Sequence, residues 1–355
     1  MRIRQFPAVI VFAAAFTGLA CAQPTPKTAL LVLSKHDHTL AIVDPASLRA
    51  VAREPVGNDP HEVIASSDGR TAYVSNYGFG AYHTLAVIGL VAQEALPPVD
   101  LGPLRGPHGL FFADGEVWFT AEGAKAIGRY SPATGKVDWI MGTGQNRTHM
   151  LYVFPGLRRI VTTNVSSGTV TVLDKTDGPA GMPPPPPPGM NMNAGPPPRM
   201  PGPPGGDWNE TVIPVGHGSE GFDVTPNGKE VWVANAQDGT ISIVNLAEKK
   251  VTATLDANVP RANRLKITPD GKLALVSMLN GPDLVILDVA THKEVKRLPI
   301  GHGSAGVLVQ PDGARAYVSC GPDNYVAVID MKALEVVGHI DAGGEPDGLA
   351  WAVQR

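Results

Sequence analysis

Gly57-Asn58-Asp59-Pro60-His61-Glu62-Val63-Ile64-Ala65-Ser66-Ser67-Asp68-Gly69 is the stretch that decides how this chain is read. Its centre, Pro60-His61-Glu62-Val63, returns in altered form along the whole sequence. Pro107-His108-Gly109-Leu110, Thr148-His149-Met150-Leu151 and Ser219-Glu220-Gly221-Phe222 follow it. Ala262-Asn263-Arg264-Leu265, Ser304-Ala305-Gly306-Val307 and Pro346-Asp347-Gly348-Leu349 complete the set. Seven copies thus carry His, His, His, Glu, Asn, Ala and Asp at one equivalent place, and these side chains are expected to ring a central axis.

The spacing decides the fold. His61 to His108 is 47 residues, His108 to His149 is 41, Glu220 to Asn263 is 43, and the next two intervals are 42 each. The outlier, His149 to Glu220, is 71; it contains a Pro/Gly/Met-rich block of 29 residues, 178–206, whose removal leaves 42. A period in the low forties built only from strand-like segments is the signature of propeller blades. Within a repeat, an apolar run meets a turn such as Ser67-Asp68-Gly69, Ala113-Asp114-Gly115 or Pro269-Asp270-Gly271. These Asp-Gly and Asn-Gly pairs are expected to supply the positive φ of two-residue hairpins. Alternating runs follow, such as Ala72-Tyr73-Val74-Ser75-Asn76 and Thr240-Ile241-Ser242-Ile243-Val244-Asn245, so each repeat reads as four antiparallel strands. The first run, Ala29-Leu30-Leu31-Val32-Leu33, has no ring element before it, and the last, Pro346 to Trp351, has nothing after it. The C-terminus is therefore expected to supply the inner strand of the N-terminal blade, closing the ring and removing open edges. The fold class is all-β, a seven-bladed β-propeller, with 23–355 as a single domain.

Pro-Asp-Gly-x-x-x-Tyr-Val-Ser-Asn followed by Thr-Val-x-Val-Ile-Asp resembles the YVTN-repeat, YncE-like β-propellers. Tyr73-Val74-Ser75-Asn76, Trp232-Val233-Ala234-Asn235 and Tyr317-Val318-Ser319-Cys320 carry the likeness. Trp118-Phe119-Thr120-Ala121 and Leu275-Val276-Ser277-Met278, in the third and sixth blades, depart from it most. The resemblance spans nearly all of 29–355 and implies the fold and an exported protein. It implies no single activity, because members of one fold bind quite different things.

The N-terminus agrees with export. Arg2 and Arg4, the apolar run Ala8 to Ala20 and the small-x-small site Ala20-Cys21-Ala22 read as a signal peptide over 1–22. The run is shorter than the ~20 residues a spanning helix needs, so an integral membrane protein is not expected. A periplasmic or secreted location follows, with a lipoprotein anchored through Cys21 as the alternative. The 29 Lys+Arg less Arg2 and Arg4 leave 27 against 33 Asp+Glu, a net of −6. That charge works against nucleic acid as a partner, although Tyr77, Phe79 and Tyr82 near arginines could stack bases. Cys320 would be the remaining cysteine, which excludes an internal disulfide and reads as a small buried hydrophobe.

Loop geometry places eight of the ten histidines on the face where the ring residues begin. His61, His108, His149, Glu220 and Asp347 are the candidate ligands for one divalent metal ion. Neutral imidazoles with one or two carboxylates suit zinc, iron, manganese or nickel. Asn263, His217, His302, Arg147, Arg261, Tyr77, Tyr82 and His83 are the further candidates for ligand contact. The type of site is similar to those of the streptogramin lyases and the gluconolactonase-like propellers. Two functions are therefore expected in competition. One is a binding propeller for a small molecule, polysaccharide or protein. The other is a metal-dependent lyase or hydrolase acting on a lactone, ester or polysaccharide-like substrate. His217-Gly218-Ser219-Glu220-Gly221 is not a nucleophile elbow, because His replaces the first Gly and no helix follows. The 178–206 block reads as an extended, disordered insertion in blade four.

Overall fold

The computed structural model describes residues 23–176 and 207–355. The expected signal peptide and insertion lie outside the described residues. Within them, 28 strands in chain order form seven four-stranded antiparallel sheets. The first sheet has the order β28-β1-β2-β3: Pro346–Val353, Thr28–Ser34, Thr39–Asp44 and Arg49–Pro55. Leu31 pairs with Ala350 and Val32 with Leu349, so the C-terminal strand closes the ring as expected. The other inner strands are β4 (Pro60–Ala65), β8 (Pro107–Ala113), β12 (Thr148–Val153), β16 (Ser219–Val224), β20 (Ala262–Ile267) and β24 (Ser304–Val309). Among the described residues no helix is long and apolar enough to cross a membrane.

The core lies between blades. Leu31, Leu33, Leu40 and Ile42 of the first blade pack against Val63, Val74 and Ile88 of the second. Trp118 and Ile127 of the third meet Leu151 and Ile160 of the fourth. Middle strands are buried on both faces, which is why they read as near-continuous apolar runs, whereas outer strands such as β11 (Lys136–Gly142) alternate. The Ser or Thr of the Tyr-Val-Ser-Asn element has a specific task. Thr120, Thr163, Ser277 and Ser319 donate to the backbone carbonyls of His149, Glu220, Ala305 and Asp347 in the next blade, at 2.6, 2.7, 2.8 and 2.6 Å. The motif therefore couples blades through otherwise buried polar groups.

One expectation about turns is corrected. Only Asp114-Gly115 is a two-residue hairpin with positive φ at both positions, 51° and 82°. At Gly69, Gly228, Gly271 and Gly313 the loop is longer. The glycine alone is left-handed there, and its N–H bonds back to the carbonyl three residues earlier. The insertion would leave and rejoin the fold between β14 (Thr169–Lys175) and β15 (Trp208–Pro214), the third and fourth strands of blade four. Thr176 N–H donates to the Asp207 carbonyl at 2.8 Å, so the two ends are already tied.

Candidate functional site

Each inner strand gains one residue against its partner at the ring position. Pro60 pairs with Asn76 and Val63 with Val74, and the same three-against-two slip occurs in all seven sheets. Such bulges turn a strand and re-aim a side chain. Here seven bulges aim seven side chains toward the axis. Two residues earlier each chain passes through a left-handed conformation, at Asp59, Gly106, Arg147, Gly218, Arg261, Gly303 and Glu345 (φ 49° to 71°). The result is one cavity of about 1200 Å³, walled by His61, His108, His149, Glu220, Asn263, Ala305 and Asp347 together with Lys35, Tyr77, Arg147, Arg261 and Arg264.

The position after each ring residue alternates around the axis except where Gly306 and Gly348 stand in neighbouring blades. Gly109, Gly221, Gly306 and Gly348 occupy four blades, and Glu62, Met150 and Arg264 the three between. A Cβ on Gly109 would lie 2.5 Å from the His149 carbonyl oxygen. At Gly221, Gly306 and Gly348 it would collide in the same way with the carbonyls of Asn263, Asp347 and His61. The larger residues fill the space these glycines leave. Arg264 reaches Glu62 from a distant blade, with Nε 3.1 Å from Oε1 and an Nη2 contact beside it. Burial opposes the Arg264 charge, but Glu62, Asp347 and Glu220 hold its pKa above the ordinary guanidinium value. This pair is an axial ion pair, with side chains only 9% and 13% exposed.

His61, His108 and His149 form a contiguous imidazole cluster. The His108 ring centroid lies 5.1 Å from that of His61 and 3.8 Å from that of His149, and Tyr77 meets the edges of His61 and His108 at 4.8 and 5.1 Å. His149 Nδ1 donates to Glu122 Oε1 at 2.5 Å; Glu122 Oε2 accepts from the Tyr77 hydroxyl at 2.5 Å and lies 3.4 Å from Arg147 Nε. His149 Nε2 is 3.3 Å from Glu220 Oε1, close enough for charge attraction but outside hydrogen-bond geometry. Burial alone would depress the His149 pKa; Glu220 and Glu122 outweigh it and raise it to about 8. Burial likewise opposes the Glu220 charge, and His149, Arg264 and Arg147 nevertheless draw its pKa down to about 2. His108, buried beside His149, His61 and two arginines, is pushed well below 6.5, and its Nδ1 has no partner among the described residues. The two touching rings, tilted by 35°, are therefore one protonated and one neutral near pH 7. Lys35 Nζ donates to His61 Nε2 at 2.9 Å, which makes that nitrogen an acceptor, and lies 3.4 Å from Asp347 Oδ2.

The five residues expected as metal ligands thus share one cavity, yet their donor atoms engage one another. Glu220 faces His149, Asp347 and His61 share Lys35, and His108 lies ring-to-ring with His149. Among the described residues no group of three or more His, Cys, Asp or Glu is arranged to hold a metal ion. Of the other candidates, Asn263, Arg147, Arg261 and Tyr77 line the cavity. His217, His302 and His83 are instead held on the rim by Asp238, Asp323 and Asp100, at 3.1, 3.3 and 2.8 Å, and Tyr82 covers Gly78. Lys35, Glu62 and Arg264 escaped the sequence reading. The Gly/large alternation after the ring position was the signal that could have found the last two.

No family model and no curated protein matches this sequence. Among solved structures, the chain is similar to a functionally unknown protein from Desulfotomaculum acetoxidans, with 15% identity, 92% of this chain and 99% of that one covered, and a TM-score of 0.69. It is also similar to Kuenenia stuttgartiensis hydrazine synthase, at 17% identity, 85% and 92% coverage, and 0.65. A third is a Bacteroides uniformis protein described as a "putative 6-phosphogluconolactonase", at 14% identity, 92% and 100% coverage, and 0.68. At such identities these likenesses show the seven-bladed fold.

Proposed function

We propose that this is an exported propeller, periplasmic or secreted, that binds a polar ligand in its axial cavity. The observation that carries the reading is the axial cavity of about 1200 Å³ into which seven bulges aim their ring residues. Pockets of this kind, concave with a few convergent polar groups, are the usual place for a small ligand. Binding is favoured over catalysis because the histidines able to move protons present almost no surface to the cavity they wall: His108 is 2% exposed, His149 1%, and His149 Nε2 faces Glu220. The test is a thermal-shift and calorimetric screen of metabolites and glycans against the secreted protein and an Asn263→Leu variant. A ligand that stabilises the parent and not the variant supports the reading; a screen in which no compound binds, or all bind both equally, removes it. Export is checked by cell fractionation and by N-terminal sequencing, with Gln23 as the expected first residue.

A second reading, a lyase or hydrolase, is favoured by one observation. His149 and His108 are in ring-to-ring contact with their pKa values driven apart, the arrangement that separates a proton donor from a proton acceptor. The description of the Bacteroides uniformis neighbour makes a sugar lactone the first substrate to assay. Chelator-resistant turnover abolished by His149→Gln would support acid–base catalysis; chelator-sensitive turnover with stoichiometric metal would restore the metal-dependent form; no turnover leaves binding alone.

A further inference from the structure

The left-handed position before each ring residue carries information that the ring itself does not. Three blades place glycine there, the residue that adopts positive φ without steric penalty. Four blades keep a charged side chain in the same unfavourable conformation, and strain of this kind persists where the surroundings or a function require the side chain. Asp59 has a structural reason, since its carboxylate accepts the Gly78 N–H at 2.8 Å and lies 3.8 Å from Lys35. Arg261 has none: it is exposed, lines the cavity, and makes no side-chain hydrogen bond or ion pair among the described residues. Arg147 reaches Glu122 through Nε, and its side chain remains 43% exposed at the cavity. Between their two blades stands Gly218, where a Cβ would come within 2.9 Å of the Gln237 backbone nitrogen. Two arginines therefore flank a position that must remain bare.

We propose that Arg147 and Arg261 receive the acidic group of a hydroxylated ligand, a sugar acid or sugar phosphate in chemical class. Guanidinium groups offer forked donors matched to carboxylate and phosphate oxygens. The rest of the wall suits hydroxyls. Glu220 and Asp347 present acceptors, and Asn263 presents both an acceptor and donors. At the rim Phe79 is 88% exposed and itself left-handed (φ 50°) between Gly78 and Gly80, offering a flat apolar surface to the C–H face of a sugar ring.

This inference rests on the reading of the cavity as a ligand site, and the experiment separates the two. Glucuronate, glucose 6-phosphate, glucose and inorganic phosphate are titrated calorimetrically into the full chain, the Arg261→Gly and Arg147→Gly variants, and Arg261→Lys. Glycine is the substitution of choice because three other blades already fold with it there. One or both acidic sugars should bind, with glucose and phosphate alone much weaker. Arg261→Gly should lose about tenfold or more in affinity, Arg261→Lys less, and rising salt should weaken binding. Preference for glucuronate identifies a carboxylate and preference for glucose 6-phosphate a phosphate; either supports the proposal. Glucose bound as tightly as its acids, or acidic sugars bound equally by parent and Arg261→Gly, overturns the proposal and leaves the cavity reading standing. Binding of none of the four also overturns it, and the wider screen then judges the cavity reading.

Discussion

His149 and its neighbour His108 face opposite consequences of the same burial. His149 has its pKa raised from 6.5 to about 8 by Glu220 and Glu122. Its protonation therefore favours the folded state fully below pH 6.5, and the contribution fades as pH rises through 8. His108 is depressed, so the unfolded chain takes up the proton first and stability falls as pH drops below 6.5. The melting-temperature advantage of the parent over His149→Gln should accordingly shrink between pH 6.5 and 8.5, while that over His108→Gln should shrink below 6.5. A pH-independent difference in both would refute the assigned charge states. The Arg264–Glu62 pair makes a second case. Removing one partner of a buried pair strands the other, at a cost of about 3–5 kcal/mol. Arg264→Ala should approach that loss in urea unfolding, and the double variant Arg264→Met, Glu62→Leu should recover much of it.

At the level of the strand, the bulge is the functional unit. It lets one residue point inward and, in four of the seven blades, leaves room for nothing larger than glycine at the next. Gly109→Ala would press a methyl against the His149 carbonyl oxygen, and overpacking against backbone costs roughly 1–3 kcal/mol. Gly142, at the end of outer strand β11, has no atom within 4 Å of a built Cβ and an ordinary φ. Gly142→Ala should therefore leave stability unchanged or slightly raised. Chemical denaturation of the two variants side by side is the measurement, and equal losses would contradict the bulge account. The contrast was not legible from composition, because both are single glycines in alternating strands. It depends on which carbonyl a neighbouring blade brings close.

Over the whole molecule, closure and insertion are opposite tests of one architecture. Ending the chain at Glu345 removes β28 and exposes the inner edge of β1, whose Leu30, Leu31 and Val32 are fully buried. Aggregation or loss of the cooperative melt is expected, read by size-exclusion chromatography and circular dichroism. Replacing 178–206 with a short polar linker should leave the melting temperature nearly unchanged, since Thr176 and Asp207 already meet. The period, blade count and closure were all readable in the sequence, because each blade is a local repeat whose strands alternate at short range. The seven ring residues were readable for the same reason. What tertiary structure alone decided is which charges meet. Glu62 and Arg264 are 202 residues apart, and Lys35 and Asp347 are separated by nearly the whole chain. Those pairings arise only when a closed ring brings distant blades to one axis, where burial makes every unpaired charge costly and so selects the partners.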